Sequence, residues 1–179
     1  AQSADLSGDC RLMDAPTHNA MTDTDVVAGW LSAFSAALAG NDAVAVAELF
    51  SDDGHWRDVL AFSWQLETLS DKAGIADKFG QAIADVKPSA FRLAEGRTPP
   101  RRVRRAGVEA IEAIFEFSTR HGACNGVVRL RPEPTAASIQ AWTLLTSLEQ
   151  LHDHPPQFGA ARAGGNAFKR EFGGDNWLD

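Results

Sequence analysis

The sequence contains no tyrosine, although its 179 residues include five tryptophans and ten phenylalanines. The tyrosine hydroxyl is a common general acid and oxyanion donor, so that group is excluded from every mechanism open to this chain. Only two cysteines are present, Cys10 and Cys124. They indicate neither a disulfide framework nor a cysteine zinc site, and reduced intracellular thiols are the expectation.

Basic residues are the minority charge, 17 against 24 acidic residues, which leaves a formal net charge of −7. The field of such a chain repels polyanions, so we expect no nucleic-acid partner. No apolar run approaches the roughly 18 to 20 residues needed to cross a bilayer, and the N-terminus lacks a positive region followed by an apolar one. These absences predict a cytoplasmic protein with no membrane partner.

What is present is ordinary globular composition, with 44% hydrophobic residues and enough chain for one domain. Residues 1–21 show no hydrophobic period and are predicted to be a flexible leader. Residues 22–154 carry the periodic patterns of a folded domain. Residues 155–179 are rich in glycine, alanine and proline, and are predicted to be a linker or docking tail.

Three helices are predicted in the first half of this domain. Apolar residues recur at helical spacing over residues 27–38, and a short second helix follows over residues 46–50. Ser70 or Asp71 can cap a third helix, which Pro88 terminates.

Three long strands are predicted in the second half, over residues 108–119, 123–131 and 138–152. Residues 55–64 favour a strand or an ordered loop, and the proline pair inside residues 97–105 predicts an exposed loop. The expected fold is therefore α+β, with a curved antiparallel sheet and three helices packed in its concave side.

The segment LFSDDGHWRD at residues 49–58, followed by residues 71–83, resembles the nuclear transport factor two-like, or SnoaL-like, domains that include ketosteroid isomerase. The resemblance covers about residues 22–179 and implies a cone-shaped, cystatin-like fold. Within that superfamily the chain is most similar to the N-terminal domain of flavin-containing monooxygenase-type oxidoreductases. Residues 55–64, 100–107 and 176–179 carry this second likeness.

That likeness implies an accessory domain, or a freestanding relative of one, whose cone binds an apolar small molecule or serves as a homodimer surface. No G-x-G-x-x-G occurs in the sequence, so the turn that cradles a dinucleotide pyrophosphate is missing. No cofactor is therefore expected in this chain, and FAD and NADP are expected only if a downstream oxidoreductase domain exists.

Asp58, His55 and Arg57 are the candidate catalytic residues, because cone folds place such groups on the inner wall. Alternation along a strand puts His55 and Arg57 on one face, and Trp56 and Asp58 on the other. Asp58 beside a tryptophan can serve as a general base, as in ketosteroid isomerase, with His55 or Arg57 steadying the developing charge. The alternative is that Arg57 and Asp58 make structural ion pairs, and the missing tyrosine departs from the isomerase pattern.

The chain has more aromatic surface than the packing of two helices requires, so we expect these side chains either to line a pocket or to form a dense core. The predicted pocket residues are Trp30, Phe34, Trp56, Phe62, Trp64, Phe115, Phe117 and Trp142. The basic run at residues 97–105 is either a solvated loop or a contact site for phosphate groups or an acidic partner, and we favour docking against a flavoenzyme domain. The docking candidates are Arg101, Arg102, Arg104 and Arg105.

His152, Asp153 and His154 resemble part of a metal or acid-base cluster, but no further ligand is evident, so no metal is predicted. Three function classes stay open. They are a pocket-bearing accessory or freestanding binding domain, a SnoaL-like isomerase, dehydratase or hydrolase with Asp58 as base, and a pure dimerisation module.

Overall fold

A computed structural model describes residues 21–132, 139–155 and 157–162, and the α+β class predicted from the sequence is confirmed. The predicted leader, apart from Met21, and the end of the predicted tail lie outside these residues. The elements are α1 (Asp23–Ala39), α2 (Ala43–Glu48), β1 (Phe50–Val59), β2 (Leu66–Leu69), α3 (Lys72–Val86), β3 (Ser89–Leu93), β4 (Arg101–Arg105), β5 (Val108–Ser118), β6 (Gly122–Pro132), β7 (Ile139–Leu151) and a 3-10 turn (Gly159–Ala161).

Side-chain caps begin all three α-helices, and the cap of α3 is one of the two that the sequence predicts. Thr22 and Asp25 form a capping box at the start of α1, with Thr22 Oγ1 accepting from the Asp25 amide at 3.1 Å. Asp42 caps α2, and Asp71 caps α3 by accepting from the Gly74 amide at 2.7 Å. Each cap satisfies an amide that the first turn of a helix leaves without a partner.

The seven strands form one sheet in the order β2-β1-β7-β6-β5-β3, and β4 also pairs with β5 beside β3. All pairs are antiparallel except β1 with β7, which is parallel. The sheet is therefore mixed, whereas an antiparallel sheet was expected. The difference arises because β1 and β7 are far apart in sequence and their relative direction depends on the intervening path.

Three strands, β2, β3 and β4, were not predicted. β4 lies within residues 97–105, where a loop was expected. Pro100 is the last proline of this segment, and the residues after it pair regularly with β5. β2 is a four-residue strand beside β1. β2 and β4 are short and carry polar or charged residues, so their sequences show little hydrophobic alternation from which a strand could be predicted.

The core lies between the three helices and one face of the sheet, which is called the inner face below. Along β5 the inner-face residues Ile111, Ala113, Phe115 and Phe117 are buried, while Glu112, Ile114 and Glu116 on the outer face are half-buried. No helix in the described part of the chain is long and apolar enough to cross a membrane.

Candidate functional site

Asp58 lies on the inner face of β1, and its carboxylate is the centre of a buried hydrogen-bond network. Its side chain accepts from the Phe62 amide, from the Ser63 amide at 2.8 Å and from the Ser63 hydroxyl at 3.1 Å. Thr146 Oγ1 donates to Asp58 Oδ1 at 2.7 Å, and it accepts in turn from Trp56 Nε1 at 2.9 Å. Asp58 therefore ties the loop at residues 60–65 to β7.

These contacts determine what Asp58 can do chemically. The residue is 2% exposed, and both carboxylate oxygens already accept hydrogen bonds from neighbouring groups. A general base needs an acceptor that can reach the proton of a bound molecule. The geometry instead suits a structural carboxylate that holds a loop, in which Leu60 adopts a positive φ of 66°.

His55 and Arg57 lie on the opposite, outer face of β1, in the alternation predicted from the sequence. Both side chains are exposed, and Arg57 Nη1 donates to Thr68 Oγ1 of β2 at 2.8 Å. The ion pair considered between Arg57 and Asp58 is not formed. The structure therefore does not assemble Asp58, His55 and Arg57 into one site.

Six of the eight residues predicted to line a pocket instead fill the core, which is a correction. Trp56 stacks on Phe79 with ring centroids 3.9 Å apart, and Phe62 contacts both rings edge-on. The six buried residues are Trp30, Phe34, Trp56, Phe62, Phe115 and Phe117. The volume beside Asp58 is therefore occupied by aromatic side chains of the chain itself.

The other two predicted pocket residues lie away from that cluster. Trp64 is 60% exposed in the loop at residues 60–65, and Trp142 is half-buried beside the Arg131 guanidinium, 5.7 Å from its ring centroid. Of the eight, Phe62 and Phe117 also border clefts, of about 180 and 350 Å³ respectively.

A groove between the N-terminal turn of α1 and strands β4 to β7 is a cavity that the sequence did not predict. Its volume is about 470 Å³, and we call it the α1–β4 groove. Buried Ile111 and Leu130 supply apolar floor. The lining residues are Val26, Arg102, Val103, Arg104, Glu109, Ala110, Ile111, Leu130 and Ile139.

Two arginines form the rim of this groove. Arg102 pairs with Asp23 at 3.1 Å, which joins β4 to α1, and Arg104 Nε donates to the Gly107 carbonyl at 3.3 Å. The groove lies at the end of the sheet where Ile111 pairs with Leu130, whereas Asp58 is aligned with Thr146 towards the other end. Five separate elements contribute to it, so no local sequence signal could have indicated it.

The four arginines predicted as one docking patch divide between the two faces of β4. Arg102 and Arg104 point to the groove, while Arg101 and Arg105 approach Glu112 on the outer face at 3.4 and 3.5 Å. Alternation along a strand enforces this division, which an exposed loop would not. The expectation of a single patch is wrong.

Glu112 is shared by three guanidinium groups. Arg129 of β6, which was not predicted, makes the shortest contact, with Nε 2.8 Å from Glu112 Oε2. Burial raises the pKa of the Glu112 carboxyl, but the hydrogen bond and charge of Arg129, helped by Arg101 and Arg105, outweigh it, so the pKa lies below its usual value.

Neither a metal centre nor a reactive thiol is evident in the described residues. No group of three or more histidine, cysteine or acidic side chains there is arranged to hold a metal ion, and His152 Nε2 lies 3.2 Å from the Thr119 carbonyl oxygen. Burial raises the pKa of the Cys124 thiol to about 11. A protonated, buried thiol is a poor nucleophile.

Comparison with known proteins gives a likeness of structure alone. No protein-family model matches the sequence, and a search of curated proteins found no match. Solved structures do match, and three of them, each with a TM-score of 0.50, are described next.

A candidate aromatic ring hydroxylase from Novosphingobium aromaticivorans is 16% identical, over 72% of this chain and 90% of that one. A domain of unknown function with a cystatin-like fold from Nostoc punctiforme is 14% identical, over 73% and 80%. A candidate calcium/calmodulin-dependent protein kinase type II association domain from Thiobacillus denitrificans is 13% identical, over 69% and 94%. Identities this low establish a common fold and nothing finer, and the fold of this chain is the cystatin-like fold.

Proposed function

We propose that this chain is a non-catalytic binding domain that holds a small apolar molecule in the α1–β4 groove. The observation that carries the proposal is the groove itself, about 470 Å³ in volume with a buried floor of Ile111 and Leu130. Small-molecule sites are typically concave, mostly apolar and provided with a few polar groups that orient the ligand. Arg102 and Arg104 are such groups at the rim.

The geometry around Asp58 supports binding over catalysis. Its oxygens are engaged by the Ser63 and Thr146 groups, and His55 and Arg57 project from the other face of the sheet. An isomerase, dehydratase or hydrolase with Asp58 as base stays the alternative. It requires the loop at residues 60–65 to open, because that loop and the aromatic cluster cover the carboxylate.

The groove is tested with 8-anilinonaphthalene-1-sulfonate, an apolar fluorophore with one anionic group. Val26 lines the groove and is half-buried, so Val26→Trp fills the cavity. We expect the dye to bind the unmodified protein and to bind Val26→Trp about tenfold more weakly, since a lost apolar cavity costs on the order of 1–2 kcal/mol of contact.

Val44→Trp is the matched control, because Val44 is 67% exposed on α2 and does not line the groove. Equal dye fluorescence in the two variants would contradict the proposal. Thermal unfolding of each variant establishes that both are folded.

We also propose that the protein forms a homodimer through the outer face of its sheet. Ile114, Val127 and Leu145 lie side by side across β5, β6 and β7 and are half-buried in the single chain. An aliphatic row on a sheet face that no described helix covers is suited to a second copy. Val127→Glu should shift sedimentation equilibrium towards monomer, whereas a monomeric unmodified protein would contradict the proposal.

The link to a flavin-dependent monooxygenase-type oxidoreductase is proposed on the sequence resemblance alone. The chain then acts as an accessory domain or a freestanding relative and leaves FAD and NADP to another domain. Because no G-x-G-x-x-G is present, we expect titration with this chain to leave the fluorescence of free FAD unchanged. Saturable quenching of FAD fluorescence would contradict the proposal that another domain binds the cofactor.

A further inference from the structure

β4 has one hydrogen-bonded neighbour in the described part of the chain. It pairs with β5 along its whole length, from Arg101 opposite Glu112 to Arg105 opposite Val108. No other backbone hydrogen bond of the described residues reaches β4, and its four arginines are exposed. The other edge of β4 therefore offers N–H and C=O groups to which a further strand can add.

The outer face beside this edge carries surplus positive charge. Arg101, Arg105 and Arg129 surround the single carboxylate of Glu112. Arg129 makes the close contact with Glu112, at 2.8 Å, and also donates to Thr143 Oγ1. The charge of Arg129 alone balances the charge of Glu112, so two further positive charges remain unbalanced in this cluster. The chain as a whole has a net charge of −7.

The two surplus charges belong to the arginines of β4. The Nη2 atoms of Arg101 and Arg105 lie 3.4 and 3.5 Å from Glu112 Oε1, so they flank one oxygen from two sides. Their side chains are 55% and 49% exposed, which leaves most of their N–H groups free to donate outwards. Arg101 and Arg105 are four residues apart on one face of β4, with Val103 between them, so they lie opposite positions about 13 Å apart on an added strand.

We propose that the free edge of β4 binds an extended acidic segment of a partner protein. The segment adds to the sheet as a strand and directs two carboxylates four residues apart towards Arg101 and Arg105. Backbone hydrogen bonds hold the strand, and the charge-assisted hydrogen bonds select acidic side chains in that register. This surface is separate from the α1–β4 groove, which Arg102 and Arg104 face from the other side of the strand.

Arginines on an edge strand can also serve only to prevent unwanted strand pairing. A synthetic, fluorescein-labelled peptide of alternating glutamate and threonine separates the two roles when its fluorescence anisotropy is measured against the full chain. A peptide of the same composition, with its glutamates in one block, is the comparison. We expect the alternating peptide to bind more tightly and to slow hydrogen exchange of the β4 amides.

Two double variants on the same strand make the test specific to one face. Arg101→Gln with Arg105→Gln should weaken binding of the alternating peptide about tenfold or more, because two charge-assisted contacts are lost. Arg102→Gln with Arg104→Gln removes the same charge from the opposite face and should change the affinity by no more than about twofold. Glu112 keeps Arg129 in the first variant, so the fold is expected to survive, and thermal unfolding checks this.

Three results would overturn the proposal. They are no binding to the unmodified protein, which leaves edge protection as the role of the arginines, equal weakening in both double variants, and binding without protection of the β4 amides. Binding that appears only after residues beyond 162 are removed would also overturn it, because the edge would then be occupied by the chain's own C-terminal segment.

Discussion

At the scale of single residues, Asp58 shows how a residue suited to catalysis can instead support structure. Its type, its neighbouring tryptophan and its place on β1 all agree with a general base. The five contacts to its carboxylate come from the backbone and hydroxyl groups of the adjacent loop and from Thr146. A buried carboxylate satisfied in this way stabilises the fold, and removing its charge leaves donors without acceptors.

Asp58→Asn should therefore lower the free energy of unfolding by about 2–3 kcal/mol, since an amide nitrogen would face the donors that the carboxylate now accepts. Urea denaturation measures the change. Asp52→Asn is the control, because Asp52 is 96% exposed and pairs only with Lys72 at the surface, and its effect should stay within about 0.5 kcal/mol. An unchanged stability for Asp58→Asn, together with a lost activity, would favour the catalytic alternative.

Glu112 predicts a particular dependence of stability on pH. Because its pKa in the folded protein lies below the ordinary value of 4.5, the folded state binds the proton less readily than the unfolded state does. The stabilisation is complete above that ordinary value and is lost as pH falls through the lower folded pKa. Glu112→Gln should flatten this part of the pH profile, measured by urea denaturation between about pH 6 and pH 3.

The control for that profile is Glu95→Gln, which removes an exposed carboxylate that makes no ion pair among the described residues. If both variants keep the slope of the unmodified protein below pH 4.5, the arginine cluster does not stabilise the folded state through Glu112.

At the scale of elements, the packing of a β5 side chain across β6 depends on one glycine. Gly126 pairs with Phe115, and a Cβ at Gly126 would overlap the Phe115 ring and the Leu145 carbonyl oxygen. The missing side chain lets the phenyl ring lie across β6 and reach the aromatic core. Phe115 then packs beside Phe91 and Phe117, and Phe91 contacts Phe34 of α1, which joins the sheet to that helix.

Gly126→Ala should lower the free energy of unfolding by about 1–3 kcal/mol, because the buried ring must move to admit a methyl group. Gly29→Ala is the matched control, since Gly29 lies in α1 with open space around its Cα. That change should raise stability by about 0.5–1 kcal/mol through better helix propensity. If Gly126→Ala and Gly29→Ala changed the unfolding temperature equally, the result would contradict the close approach of the Phe115 ring to Gly126.

At the scale of the whole molecule, one core joins all three helices to the inner face of the sheet. Cys124 lies within it on β6 and is 3% exposed. Because the thiol is buried and protonated, we expect it to react far faster in the unfolded chain than in the folded domain. The reactivity of this thiol therefore reports unfolding of the domain as a unit.

In a Cys10→Ser variant, we expect Cys124 to react with 5,5′-dithiobis(2-nitrobenzoic acid) at pH 8 far more slowly than an unfolded control, and the rate to rise with urea in parallel with circular dichroism. Burial and the pKa near 11 both suppress the thiolate. Rapid labelling in the absence of urea would show that β6 opens locally.

The sequence by itself determined the α+β class, the three helices, the three long strands and the alternation along β1. These features depend on local signals, because capping residues and hydrophobic periods act over a few neighbours. It also indicated that large aromatic side chains either line a pocket or fill the core. It could not indicate whether they enclose a cavity or fill one, since that depends on the volume left between elements.

Only the tertiary structure decided the positions that depend on distant partners. The parallel pairing of β1 with β7, the strand formed by the arginine run, and the α1–β4 groove each require elements far apart in the sequence. The hydrogen-bond partner of Asp58 on β7 was decided in the same way. The contact of Asp58 with Thr146 spans 88 positions, and hydrogen bonds at that separation exist only once the sheet has brought the two strands together.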